Sequence, residues 1–320
     1  MIEAQGLTRY YGDFAALRDA TFTIPDGEIV GFLGLNGAGK STVLKILAGL
    51  LLPSAGKVTI DGIDATTQPD ALRRKIGFLP EDPPLYGEMR IAEFLEWVGQ
   101  LKGRSRAQVR AALPEVLEQC ELTDFQDRVI SELSHGYKKR VGIAHAIIHK
   151  PDVVILDEPI SGLDPQQIVQ MRAVVRNLTA NATVLISSHI LSEISLTCER
   201  VLMIHQGRLV MDGGPKELGG RSSEGRLLRL ELRGDRAKVD DALAESPLVS
   251  KAELRSAEDG LVTADVSLTG DHREKLVAEL VTAGFGIRAV SDAVSELEQV
   301  FLECTRTQVL DKKAGQRVKV

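Results

Sequence analysis

Two rhythms of apolar and polar residues run along the chain. In the first, short apolar runs are cut off by glycine or polar residues: EIVGFL (Glu28 to Leu33), VVIL before Asp157 and VLIS before Ser188. Such runs read as strands buried on both faces. Helical patterns fall between them: VLKILAGL from Val43, then AEFLEWVGQL, RAQVRAALPEVLEQC and a helix over 134–149, and another after Asp164. Residues 1–30 read as short strands separated by turns, and LLPSAGKVTIDG as a loop and a strand. VLMIHQGRLVMDG reads as a hairpin turning at His205–Gly207. Strands alternating with helices predict an α/β unit with a mostly parallel sheet and helices on its faces.

The second rhythm is strict alternation, starting with LLRLELRG at Leu227. A helix, DRAKVDDALAES, stops at Pro247, and VSKAELRS and LVTADVSL flank an Asp259–Gly260 turn of hairpin type. A helix (DHREKLVAELVTAG), a strand (GIRAVSDA) and a closing helix from Ser295 (SELEQVFLECTR) complete the pattern. The order βαββαβ predicts a small α+β domain of ferredoxin-like type. A stretch rich in Gly and Ser separates the rhythms. We therefore expect a first domain over 1–218 with a helical region at about 82–150, and a linker over 219–226. An accessory domain over 227–304 and a polar, basic tail over 305–320 follow.

Composition narrows the classes. A chain of 320 residues holds two domains, and its net charge of −6 argues against non-specific nucleic-acid binding. Its 3 cysteines, Cys120, Cys198 and Cys304, lie far apart and have no paired metal-ligand spacing. The start MIEAQGLTRY lacks the basic and apolar regions of a signal peptide, and no apolar run approaches the ~20 residues that span a bilayer. A membrane role is expected to come through a partner.

Chemistry enters between EIVGFL and VLKILAGL. Gly34-Leu35-Asn36-Gly37-Ala38-Gly39-Lys40-Ser41, followed by Thr42, fits G-x-x-x-x-G-K-(S/T) with a strand before it and a helix after it. The glycines let successive N–H groups point inward as an anion nest, and the helix N-terminus adds partial positive charge. Lys40 is expected to reach the β- and γ-phosphates of a nucleotide, and the Ser41 hydroxyl to ligate Mg²⁺. Asp157 and Glu158 end the strand VVIL, where ligands of parallel sheets collect. Asp157 is assigned to Mg²⁺ through its water shell, and Glu158 to orienting or deprotonating the attacking water. His189, after VLIS, stands where it would donate a hydrogen bond to a γ-phosphate. The stretch LSHGYKKR sets Ser134 beside His135 and a basic cluster, which taken alone admits a nucleophile with its base.

The P-loop, LSHGY, VVILDEP, SGLDP and SSH occur in the order and spacing of ABC transporter ATPases, and over roughly Met1 to Glu217 the chain resembles that family. The resemblance implies a P-loop NTPase fold, hydrolysis of ATP with Mg²⁺ and head-to-tail pairing of two ATPase subunits. It makes LSHGY the signature motif, in which Ser134, Gly136 and Tyr137 meet ATP held by the second subunit. Ser134 then donates to phosphate and is not a nucleophile. It also implies that Tyr11, or its neighbour Tyr10, stacks on adenine, and that Asp164 of SGLDP lies where the subunits meet. Region 82–150 becomes the helical subdomain that, with the preceding loop, receives an integral membrane permease. The expected location is cytoplasmic, peripheral at the inner face of the membrane.

Three departures from the family pattern stand out, at four positions. Glu81 replaces the usual glutamine of the loop after LP. It keeps an oxygen ligand for Mg²⁺ and adds a negative charge, which either strengthens metal binding or weakens catalysis. His135 and Tyr137 replace the first glycine and the glutamine of the signature. Ile160 replaces a common threonine. The motifs most resemble exporter-type subunits of the multidrug, polysaccharide or gliding-motility kind. A soluble relative in translation, DNA repair or regulation is the alternative. A single ATPase unit and a short interval between P-loop and signature weigh against it.

Overall fold

A computed structural model describes residues 1–214, 227–258, 260–270, 272–292 and 301. The linker predicted at 219–226, Asp259 of the predicted turn, the tail over 305–320 and, apart from Phe301, the predicted closing helix lie outside them. The chain divides into two compact units, Met1–Pro215 and Lys216–Val320.

The first unit opens with β1 (Ile2–Tyr11) and β2 (Phe14–Ile24), then β3 (Ile29–Leu33), α1 (Lys40–Leu47), β4 (Ala55–Ile60) and β5 (Ile63–Asp64). Next come α2 (Pro69–Lys75), β6 (Ile76–Leu79), α3 (Ile91–Leu101), α4 (Arg106–Gln119) and α5 (His135–Ile147). It closes with β7 (Val153–Leu156), α6 (Pro165–Asn177), β8 (Thr183–Ser188), α7 (Leu191–Thr197), β9 (Arg200–His205) and β10 (Arg208–Gly213). The opening segment is one long antiparallel hairpin where several short strands were expected. Its register shifts between Ala4 and Leu7, Leu7 and Arg9, and Arg9 and Tyr10, and such bulges break the alternation by which a long strand is recognised.

Two sheets form the body, one ordered β2-β1-β4-β5 and one ordered β10-β9-β3-β8-β7-β6. In the second, β9, β3, β8, β7 and β6 run parallel and β10 closes one edge antiparallel. A single hydrophobic cluster joins residues of both sheets with Val43, Leu44, Ile46 and Leu47 of α1. Because α1 buries most of its circumference, its N-terminus is held rigidly at the carboxyl end of β3. On β6, a Cβ at Gly77 would lie 2.1 Å from the Ala146 carbonyl oxygen. Glycine there lets α5 sit against the sheet.

In the second unit, β11 (Leu227–Arg233), α8 (Arg236–Glu245), β12 (Val249–Glu258), β13 (Leu261–Leu268), α9 (Arg273–Thr282) and β14 (Gly286–Asp292) follow one another. The sheet order is β12-β13-β11-β14, antiparallel throughout. Leu228, Leu230 and Leu232 alternate onto the face that buries Val239 and Leu243 of α8 and Leu276 and Leu280 of α9. Asp265, though buried, accepts two hydrogen bonds from the Arg229 guanidinium, at 2.8 and 3.0 Å.

Candidate active site

Backbone crowding shapes the loop after β3. A Cβ at Gly34 would lie 2.3 Å from the Ile204 carbonyl oxygen, and one at Gly39 2.5 Å from that of Ala16. Gly37 and Gly39 also adopt φ of +81° and +114°, which side chains beyond glycine rarely reach. The turn between β9 and β10 supports the loop from behind: Gly207 N donates to Ala38 O (2.9 Å), and Arg18 N to Gly207 O (2.7 Å). The loop is thus clamped between β2 and that turn.

Lys40 opens α1 with its side chain buried. Its ammonium donates to Gly34 O at 2.7 Å and lies 3.4 Å from Glu158 Oε1. The other carboxylate oxygen of Glu158 is hydrogen-bonded to His189 Nδ1 at 3.0 Å. Ser41 Oγ donates to Asp157 Oδ1 (3.1 Å), and Ser187 Oγ donates to the same oxygen (2.6 Å). Ser187 Oγ in turn accepts from Glu158 N at 2.9 Å. Glu158 has φ of +50°. A residue with a side chain holds such a conformation at a cost of ~1–3 kcal/mol where its surroundings enforce it, commonly at functional sites. Lys40 and Ser41 from the start of α1, Asp157 and Glu158 from the end of β7, and His189 from the end of β8 therefore meet in one network.

A cavity of ≈ 470 Å³ opens over this network, with Lys40, Ser41, Glu158 and His189 in its floor and Glu81, beyond β6, at its side. Tyr11 and Phe14 wall the other side. They are cross-strand partners around the Gly12–Asp13 turn and both are exposed, with the Arg9 guanidinium 5.1 Å from the Tyr11 ring. Of the two tyrosines considered for stacking, Tyr11 lines the cavity and Tyr10 does not. Phe14 was not foreseen, although aromatics around a two-residue Gly-Asp turn form a readable hairpin signal. Ser187 was also missed, hidden in the apolar run it ends.

The signature residues lie elsewhere. Ser134 caps α5, accepting from Tyr137 N at 3.5 Å, and Asp164 caps α6, accepting from Gln167 N at 2.9 Å. Gly136, Tyr137 and Asp164 line a separate cleft of ≈ 200 Å³ with Arg140, Gln167 and Gln170. Tyr137 packs on Phe125, ring centroids 4.3 Å apart, which gives its aromatic ring a place that glutamine would not fill. The His135 ring lies against Gly162 and makes no bond to Ser134, so the pair is no nucleophile and base. Ile160 is buried, so an apolar residue suits its position.

The donors suit a small hard cation beside phosphates. Ser41 Oγ and Asp157 Oδ1 are neighbouring oxygens, and among the described residues no three His, Cys, Asp or Glu side chains form a metal cage. Mg²⁺ characteristically takes one or two protein oxygens and completes its shell with phosphate and water. Burial depresses the Lys139 ammonium below the usual lysine range and raises the Glu193 carboxyl above the usual range. Glu193 accepts from Ser188 Oγ at 2.8 Å, just behind His189.

A family model described as ABC transporter matches residues 17–161. The chain is 34% identical over 308 residues to the daunorubicin/doxorubicin resistance ATP-binding protein DrrA of Streptomyces peucetius, covering 95% of this chain and 92% of the relative. It is 35% identical to the Nod factor export ATP-binding protein I of Paraburkholderia xenovorans, covering 79% and 83%. Among solved structures, a dimeric ATP-binding cassette in a post-hydrolysis state with ADP and Pi superposes with a TM-score of 0.60 at 28% identity, covering 67% of this chain and 98% of that one.

Proposed function

Because the chain belongs to the ABC transporter family of ATP-binding subunits, we propose that it binds and hydrolyses MgATP to power an exporter. Lys40 and the P-loop amides, from Gly34 through Thr42, hold the phosphates, while Tyr11 and Phe14 flank the base. Ser41 and Asp157 hold Mg²⁺, with Glu81 as a further oxygen donor. The bound ion neutralises phosphate charge. Glu158 accepts the proton of the attacking water, its peptide fixed by Ser187 and its carboxylate by His189. His189 bonds Glu158 through Nδ1 and meets a γ-phosphate oxygen with its other ring nitrogen, Nε2.

The separation of the signature cleft from the P-loop cavity supports a head-to-tail dimer in which Ser134, Gly136, Tyr137 and Asp164 serve ATP on the second copy. Among the described residues no helix is long and apolar enough to cross a membrane. An integral membrane permease is the partner this reading requires, docking near residues 81–100, where Tyr86 and Trp97 are exposed. The subunit then sits at the inner face of the membrane. The relatives named for drug resistance and Nod factor export support an outward direction.

The observation that carries this reading is the contact series Lys40–Glu158–His189 beside Ser41–Asp157. In Glu158→Gln, turnover is expected to fall by about 10²-fold or more while ATP affinity holds within about three-fold. Unimpaired turnover would remove Glu158 as base. The same variant, purified from its own membranes with ATP, is expected to bring a polytopic membrane protein. Recovery of soluble partners alone would overturn the transport role.

A further inference from the structure

α5 buries Gly136, Lys139, Arg140 and Ile143, an i, i+3, i+4, i+7 stripe that a helix of this kind fills with apolar residues. Lys139 is only 2% exposed. Among the described residues its ammonium has no carboxylate at ion-pair distance. It donates instead to two backbone carbonyls, Glu81 O in a short contact and Glu158 O at 3.4 Å. Those residues follow β6 and β7, adjacent parallel strands. The carboxylates of Asp82, Glu81, Asp157 and Glu158 act on it through space. Burying a cation without a partner ion costs far more than burying methionine of similar length. Stability alone does not account for lysine here.

Its placement is specific. Glu158 holds its left-handed backbone with N–H bonded to Ser187 Oγ and its carbonyl shared by Ser161 N (3.3 Å) and Lys139 Nζ. Removing the ammonium frees one side of that peptide and the Glu81 loop together. We propose that Lys139 is a positioning residue for hydrolysis, tying the helix that Ser134 opens to the peptide of Glu158 and the loop of Glu81. A displacement at the signature end of α5 then reaches both. This rests on the reading of Glu158 as the base.

The test uses the full chain with Lys139→Met and Lys139→Arg, measuring ATP affinity, kcat and the nucleotide that remains bound. The expected result for Lys139→Met is a kcat loss of about ten-fold or more with ATP affinity within about two-fold, since small misplacements of a reacting group are enough for this. Bound nucleotide should shift from ADP towards ATP, and Lys139→Arg should recover most of the turnover. A Lys139→Met kcat within about two-fold of the parent, or affinity falling in step with kcat, overturns the proposal. Should Lys139→Met fail to fold, Lys139→Gln replaces it. If neither neutral variant folds while Lys139→Arg does, the cation is a folding requirement and the proposal fails. Glu158→Gln run in parallel separates the two readings. Its unimpaired turnover removes the base, whereas loss of turnover there with an active Lys139→Met removes only the positioning role.

Discussion

The P-loop cavity and the signature cleft lie in one unit but are built on opposite plans. The cavity gathers residues far apart in sequence, Ser41 with Asp157 and Lys40 with Glu158, and its polar groups satisfy one another across three strand ends. The cleft is local. Its caps, Ser134 and Asp164, each accept from an amide 3 residues ahead, and Tyr137 packs on nearby Phe125. The residues of the first meet one another within a single copy. On the reading proposed above, the second offers its helix ends to ATP held by another copy.

The comparison breaks most sharply at Lys40. Lys40→Ala is expected to weaken ATP binding by about 100-fold or more, read by calorimetry, because the charge facing the phosphates is lost. Ser134→Ala should leave ATP affinity of the isolated chain intact and lower turnover by roughly 10–100-fold, the scale for removing one donor to a reacting phosphate. Equal losses of affinity in both variants would dissolve the distinction. Mixing the two variants sharpens it. A head-to-tail pair of one Lys40→Ala and one Ser134→Ala copy contains one intact composite site, so the mixture should regain turnover that neither has alone. Glu81→Gln is a smaller change at the cavity's side. We expect an active enzyme whose Mg²⁺ midpoint moves by about three-fold, and an unmoved titration would place Glu81 outside the metal shell.

The smallest effect on activity comes from the far end of α5. Burial holds the His145 and His149 rings neutral, with pKa values lowered from 6.5 to about 4. The unfolded chain binds protons there that the folded chain refuses. Stability present above pH 6.5 is therefore lost as pH falls towards 4, by about 2 kcal/mol per ring between pH 7 and 5. Urea midpoints across that range measure it, and His145→Phe, which keeps the stack on Phe94, should flatten the slope.

Much of this was legible because the chemistry demands a particular local sequence. The P-loop needs glycines where a Cβ would strike Ile204 or Ala16, and VVIL and the VLI of Val184–Ile186 are apolar because both faces of their sheet are covered. Elements with weak signatures escaped. α2 is short and buries only Leu72, and β6 is a run of 4 residues. Lys139 was hidden for another reason. In KKR it reads as basic surface, and only its spacing from Gly136 turns it inward while its neighbour Lys138 stays partly exposed.

The clamp on the P-loop bears on how ATP is greeted. A loop already fixed by β2 and the β9–β10 turn loses little freedom when phosphate arrives, so association needs no slow rearrangement of the nest. The amides of Arg18 and Gly207, which hold that clamp, should exchange with deuterium only through large-scale opening, at similar rates with and without nucleotide. The phosphate nest is in that sense a product of folding, finished when the turn closes on the loop.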